Sequence, residues 1–291
     1  MTSTASDSVR IEHAARGPRL APAFLLIRGL STQLIQWPEI FLEGLIEAGF
    51  RVVVFDNRDC GLSTKFDAAG VPSIPDLLAG RAAPAYSIAD MAADAVGVLD
   101  ALGIDRAHVA GMSLGGMIAQ HLAFSHGDRC LSVTSIMSTS GAPGLPSGTP
   151  EAMAVLGSSP EHPEDRESVI QHLMHHQSVI GSPAYPQTPE ERRSYCERAY
   201  DRCYCPDGTA RQMAAVLTDS TRADRLAEVR VPFQVLHGSD DPLIPIECGR
   251  DTAERVPGAR FVEIPGIGHD VTNANTPHVL APLVEFARSV G

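Results

Sequence analysis

Six short runs rich in apolar and β-branched residues recur along the chain at 23–27, 51–55, 107–110, 132–137, 233–236 and 260–264. A strand with one wet face alternates apolar and polar side chains, whereas an unbroken run marks a strand buried on both faces. The six runs therefore predict strands of a mostly parallel sheet. Between them the repeat lengthens to that of a helix. Residues 39–48 bring Ile40, Phe41, Leu45 and Ile46 near one face, and residues 88–102 repeat Met91, Ala95, Val98, Leu99 and Leu102 at helical spacing. Ser87 is placed to cap the second of these helices, with Asp90 three positions on, and Gly103 follows its end as a C′ glycine would. Strands and helices in alternation give an α/β fold.

The alternation lapses after Met137. No core strand is predicted from Ser138 to about Thr221, and eight of the 22 prolines fall between Gly141 and Pro189. Helices are expected there at 164–179 and 208–219. A third opens on the capping box Thr188-Pro189-Glu190-Glu191 and runs through about Tyr204. A helical insertion between sheet strands reads as a lid rather than a separate domain. The expected division is a core over 1–140, a lid over 141–225 and the rest of the core over 226–291.

Candidate chemistry sits at the ends of the strand runs. Gly111-Met112-Ser113-Leu114-Gly115 has the form G-x-S-x-G, follows the third run and precedes a helix-like stretch at 116–124. That is the strand–turn–helix context in which a serine is lifted above a sheet edge. Close packing at such a turn leaves no room for side chains at Gly111 and Gly115. The helix N-terminus that follows favours negative charge developing beside Ser113. A serine nucleophile needs a base, and His269, just after the last run, can take and return its proton near neutral pH. The base needs an orienting carboxylate, which Asp241 or its neighbour Asp240 supplies after the fifth run, Asp241 being the choice. The order Ser113, Asp241, His269 is nucleophile, acid, base.

These segments resemble the α/β-hydrolase fold family over nearly the whole chain. The matching motifs are Gly111-Met112-Ser113-Leu114-Gly115-Gly116, Gly238-Ser239-Asp240-Asp241-Pro242, Gly266-Ile267-Gly268-His269 and Phe55-Asp56-Asn57-Arg58-Asp59-Cys60-Gly61-Leu62-Ser63. Within the family the chain is most similar to lidded esterases of the aclacinomycin methylesterase type. The resemblance implies a sheet flanked by helices with an inserted helical lid. It supports Asp241, the aspartate before the proline, as the acid. It also implies that the backbone amides of Leu30 and Leu114 form the oxyanion hole. Members often carry His-Gly after the third strand of the fold, where this chain has Arg28-Gly29. Arg28 either ties that loop down or binds an acidic group of the substrate. The segment before Ala23 is short for the family's opening hairpin.

Composition narrows the partners. Acidic residues number 35 against 23 basic, for a net charge of -12, which argues against a nucleic-acid backbone. No apolar run reaches the roughly 18 residues of a membrane span. The polar first ten residues lack the layout of a secretory leader, and six scattered cysteines do not make a disulfide scaffold. A reduced, cytoplasmic protein, monomer or homodimer, acting on a small-molecule ester is the expectation. His172, His175 and His176 have metal-compatible spacing, but a serine triad needs no metal and no cofactor is called for. Cys203-Tyr204-Cys205 is not a redox motif. The segment 56–63 is read as a structural turn at the site's rim, and Trp37 as packing beneath the oxyanion loop. Met174, Tyr185, Tyr195, Tyr200 and Tyr204 are candidate pocket residues, with Arg28, Met174 and Tyr185 singled out for substrate contact. Leu145, Met153, Val155, Leu156 and Leu173 suggest an apolar acyl or alcohol group.

The expected activity is hydrolysis of carboxylic esters through an acyl-enzyme. The same triad would serve a lactonase, a C–C bond hydrolase or a cofactor-free perhydrolase. A ligand receptor with a vestigial triad is the alternative from a different class.

Overall fold

The computed structural model describes residues 9–290, so the polar start at 1–8 lies outside the described residues. One sheet contains β1 (His13–Arg16), β2 (Ala23–Ile27), β3 (Arg51–Phe55), β4 (Ala107–Met112), β5 (Cys130–Ile136), β6 (Phe233–Gly238) and β7 (Arg260–Ile264). Their order is β1-β3-β2-β4-β5-β6-β7. Every neighbouring pair is parallel except β1 against β3. All six predicted strands are present. The seventh, β1, is His-Ala-Ala-Arg, half exposed and without a β-branched residue; only its ladder along β3 makes it a strand.

Alternate side chains of each strand enter opposite cores. Leu25, Ile27, Val53, Phe55 and Val109 face one, while Phe24, Leu26, Val52, Val54 and Ala110 face the other. The first core is covered by α3 (Ile88–Ala101), α4 (Leu114–Ser125) and α10 (Ile246–Arg255). The second is covered by α1 (Glu39–Glu47) and α11 (Thr276–Ser289). Burial of a large apolar side chain contributes about 1.5–3 kcal/mol, so the two-sided core accounts for the apolar bias of the runs. Ser87 and Asp90 form a reciprocal capping box at the start of α3, and Gly103 takes φ +63° just past its end. The short α2 (Ile74–Leu78) sits between β3 and α3.

Between β5 and β6 the chain forms α5 (Pro150–Leu156), α6 (Arg166–Ile180), α7 (Pro189–Arg202), α8 (Pro206–Thr218) and α9 (Arg222–Arg225). The helical insertion is thus present, with α5 and α9 added to the three helices expected. Thr188 and Glu191 form the capping box of α7 with Pro189 inside its first turn. The helix stops at Arg202, because Cys203 is extended and Pro206 restarts the next helix.

The loop after β3 holds the insertion down. Asp56 accepts from the Leu34 and Leu62 amides at 2.7 and 2.9 Å and pairs with Arg202 of α7 at 2.8 Å. Asp59 takes a two-pronged contact from Arg211 of α8, both prongs 2.8 Å. The segment read as a structural turn is therefore the dock between core and insertion.

Candidate active site

Ser113 lies between β4 and α4 with φ 58° and ψ -121°. A non-glycine residue in that region costs about 1–3 kcal/mol and persists only where its surroundings enforce it. Here the Ser113 amide donates to the Ile136 carbonyl at 2.9 Å, and the Ser138 hydroxyl donates to the Ser113 carbonyl at 2.8 Å. The flanking glycines are required sterically. A Cβ on Gly111 would stand 1.9 Å from the Gly115 carbonyl oxygen, and one on Gly115 would stand 2.2 Å from that of Ile27.

Asp241 and His269 follow β6 and β7. His269 Nδ1 lies 2.7 Å from Asp241 Oδ2. A carboxylate only accepts, so Nδ1 carries the proton and Nε2 is left with its lone pair. Asp241 Oδ1 accepts from the Leu243 and Ile244 amides, both at 2.9 Å. Asp240 instead accepts from the Ser239 hydroxyl in an exposed position. His237 lies beneath the pair, donating to the Ile244 carbonyl at 2.8 Å, and burial holds its pKa below the ordinary value.

A second polar group, unnoticed in the sequence, fixes the histidine loop. The Asp270 carboxyl accepts from the Ser182 hydroxyl and from Asn275 Nδ2, the latter at 2.8 Å. Burial raises its pKa. The His269 amide donates to the Ile180 carbonyl at 2.7 Å, so the end of α6 grips the loop that bears His269. Only this contact across nearly ninety residues gives Ser182 and Asp270 a shared role, and no local signal marks it.

A cavity of about 720 Å³ separates the carboxyl edge of the sheet from the insertion. Ser113, His269, Leu30 and Leu114 all line it. The Leu30 and Leu114 amides find no acceptor among the described residues. Leu145, Met153, Val155, Leu156 and Leu173 form apolar wall, as expected, with Tyr195, Tyr200 and Tyr204. Two expected contacts are corrected. Met174 lies off the cavity, on a different face of α6 from His172 and His176, which line it. Tyr185 is also off the cavity and packs against His278 of α11, rings 4.6 Å apart. The pKa of His176 is pushed down to about 4, by burial first and then by the charge of nearby His269. The Cys196 thiol, also on the wall, is pushed up to about 12 by burial.

Arg28 lines the cavity beside the serine turn. Its Nη2 donates to the Tyr195 hydroxyl at 3.1 Å and Nη1 approaches Met112 Sδ at 3.8 Å. The guanidinium lies 4.7 Å over Trp37, which is itself buried and stacked on Phe41.

Known proteins resemble this chain at different levels. A sequence profile described as alpha/beta hydrolase fold matches residues 22–172. A rhodomycin D methylesterase of Streptomyces peucetius is 28% identical over 281 residues, covering 91% of this chain and 90% of that one. Among solved structures, an enol-lactonase from Burkholderia xenovorans LB400 has a TM-score of 0.74 at 21% identity, covering 97% of this chain and 98% of that chain. A meta-cleavage product hydrolase from Pseudomonas fluorescens IP01 has a TM-score of 0.75 at 17% identity, covering 97% and 96%. At such identities the two structures speak to fold alone. The profile spans more than half of the chain and agrees with the sheet order, the serine turn and the helical insertion: the protein belongs to the α/β-hydrolase fold family.

Proposed function

We propose that the protein is a serine hydrolase that cleaves carboxylic esters through an acyl-enzyme. The observation that carries this reading is the 2.7 Å bond between Asp241 and His269 Nδ1, with Ser113 held at positive φ on the wall of the same cavity. Ser113 Oγ attacks the ester carbonyl while His269 Nε2 takes its proton. Asp241 holds the tautomer and stabilises the imidazolium. The Leu30 and Leu114 amides receive the oxyanion, each worth on the order of 10²–10³ in rate. His269 then protonates the leaving alcohol, and water releases the acid by the reverse path. The methylesterase relative, matched over nine-tenths of both chains, supports an ester as the substrate.

Labelling of the purified protein with a fluorophosphonate, read by intact mass, tests the assignment alongside turnover of p-nitrophenyl esters. One adduct per chain on Ser113 and multiple turnovers are expected, with both lost in Ser113→Ala. Undiminished ester turnover by Ser113→Ala would overturn the proposal.

A further inference from the structure

Four arginines are buried among the described residues: Arg28, Arg58, Arg211 and Arg222. Three of them hold a carboxylate. Arg58 pairs with Asp94, Arg211 with Asp59 and Arg222 with Asp219. Arg28, only 4% exposed, pairs with none among the described residues. A guanidinium offers five N–H donors. Those of Arg28 reach one hydroxyl and one thioether sulfur, and Nε has no partner. A buried cation left this incomplete is costly unless something else completes it. Arg28 is also the only Arg or Lys on the wall of the cavity among the described residues. The carboxylates on that wall are already engaged, Asp59 by Arg211 and Asp270 by Ser182 and Asn275.

We propose that Arg28 anchors a carboxylate carried by the substrate, so that the preferred ester is one bearing a second, free carboxyl group. The proposal rests on the ester-hydrolase reading and names its substrate class. A planar fork with one positive charge matches a carboxylate. Tyr195 and Trp37 hold the fork in place, through the Nη2 bond and the stacked face. Nη1 lies against Met112, the residue before Ser113, so the bound carboxylate would sit close to the scissile carbonyl. A short half-ester of a dicarboxylic acid fits that spacing, while the apolar wall of the insertion receives the remaining group.

Binding to the Ser113→Ala protein, measured by calorimetry, tests this without any turnover. The probes are monomethyl glutarate, which carries the free carboxylate, and neutral dimethyl glutarate. Tighter binding of the anion by about 30-fold or more is expected, in line with a buried charge pair. Arg28→Met should erase the preference and Arg28→Lys should retain part of it. Equal affinities in the protein with Arg28 intact would overturn the proposal, and that comparison needs no Arg28 variant to fold. A preference that survives in folded Arg28→Met would overturn it as well. Because no ester bond is broken, failure of the Ser113 chemistry would appear in the labelling assay and not here. In the active enzyme, the ratio of kcat/KM for mono-p-nitrophenyl glutarate over p-nitrophenyl pentanoate should fall with Arg28→Met, chiefly through KM.

Discussion

Replacing Arg211 by Met removes the cation that joins α8 to the loop after β3. Arg211 is 1% exposed and Asp59 2%. The carboxylate would keep the Phe66 amide at 2.9 Å and the Tyr86 hydroxyl at 2.8 Å, but lose both guanidinium bonds and its counter-charge. The Asp67 contact of Arg211 adds little, because Asp67 is 76% exposed and screened by water. Orphaning one member of a buried ion pair costs about 3–5 kcal/mol. Unfolding entropy of about 2.1 cal/mol/K per residue turns this into a melting point lower by about 5–8 °C for a chain of this length. Scanning calorimetry and urea unfolding of Arg211→Met, Asp59→Asn and the double variant measure it. The double variant should be more stable than Arg211→Met, because no charge is then left buried alone. A cost below about 1 kcal/mol for Arg211→Met, or a double variant as unstable as the sum of the singles, would refute the reasoning. The effect should reach the site, since Thr209, Ala210 and Met213 of α8 line the cavity. KM should rise with the loss of stability.

Asp241→Asn places an amide where His269 now donates, which favours the wrong tautomer, so kcat should fall by about 10³–10⁴-fold in a stopped assay. Asp240→Asn touches only the exposed Ser239 hydroxyl and should leave kcat within the error of the same assay. His108 is 2% exposed, bonded to the Ser132 hydroxyl at 2.8 Å and packed against Phe24 and Phe50; burial pushes its pKa down to about 4 from 6.5. Below pH 6.5 the unfolded chain takes up a proton that the native state refuses until about pH 4, so stability present above 6.5 is lost as pH falls through that window. The loss at this one site is about 3 kcal/mol. Urea unfolding of wild type and His108→Gln between pH 7 and pH 4 should show a shallower pH slope in the variant, and parallel slopes would contradict it.

Local physics sufficed for much of this protein. Strand β2 is legible because all five of its positions are apolar and buried on both faces. Ser113 is legible because its turn joins a strand run directly to a helix, and Gly111 answers a clash only four residues away, at Gly115. The N-terminal ends of α3 and α7 are legible because a cap acts over three residues. Strand β1 was not, since its four residues carry no pattern and depend on β3 for their hydrogen bonds. The face of α6 that meets the cavity was not either. Its apolar residues spread well beyond one narrow face, so the pattern does not say whether Met174 or the His172–His176 face meets the cavity; the neighbouring helices decide it. Sequence order could propose Asp241 and His269, but their 2.7 Å contact depends on two strand ends packed side by side. The isolation of Arg28 is a tertiary fact altogether. A side chain's type is written in the chain, but whether a buried charge has a partner depends on which distant residues fold against it.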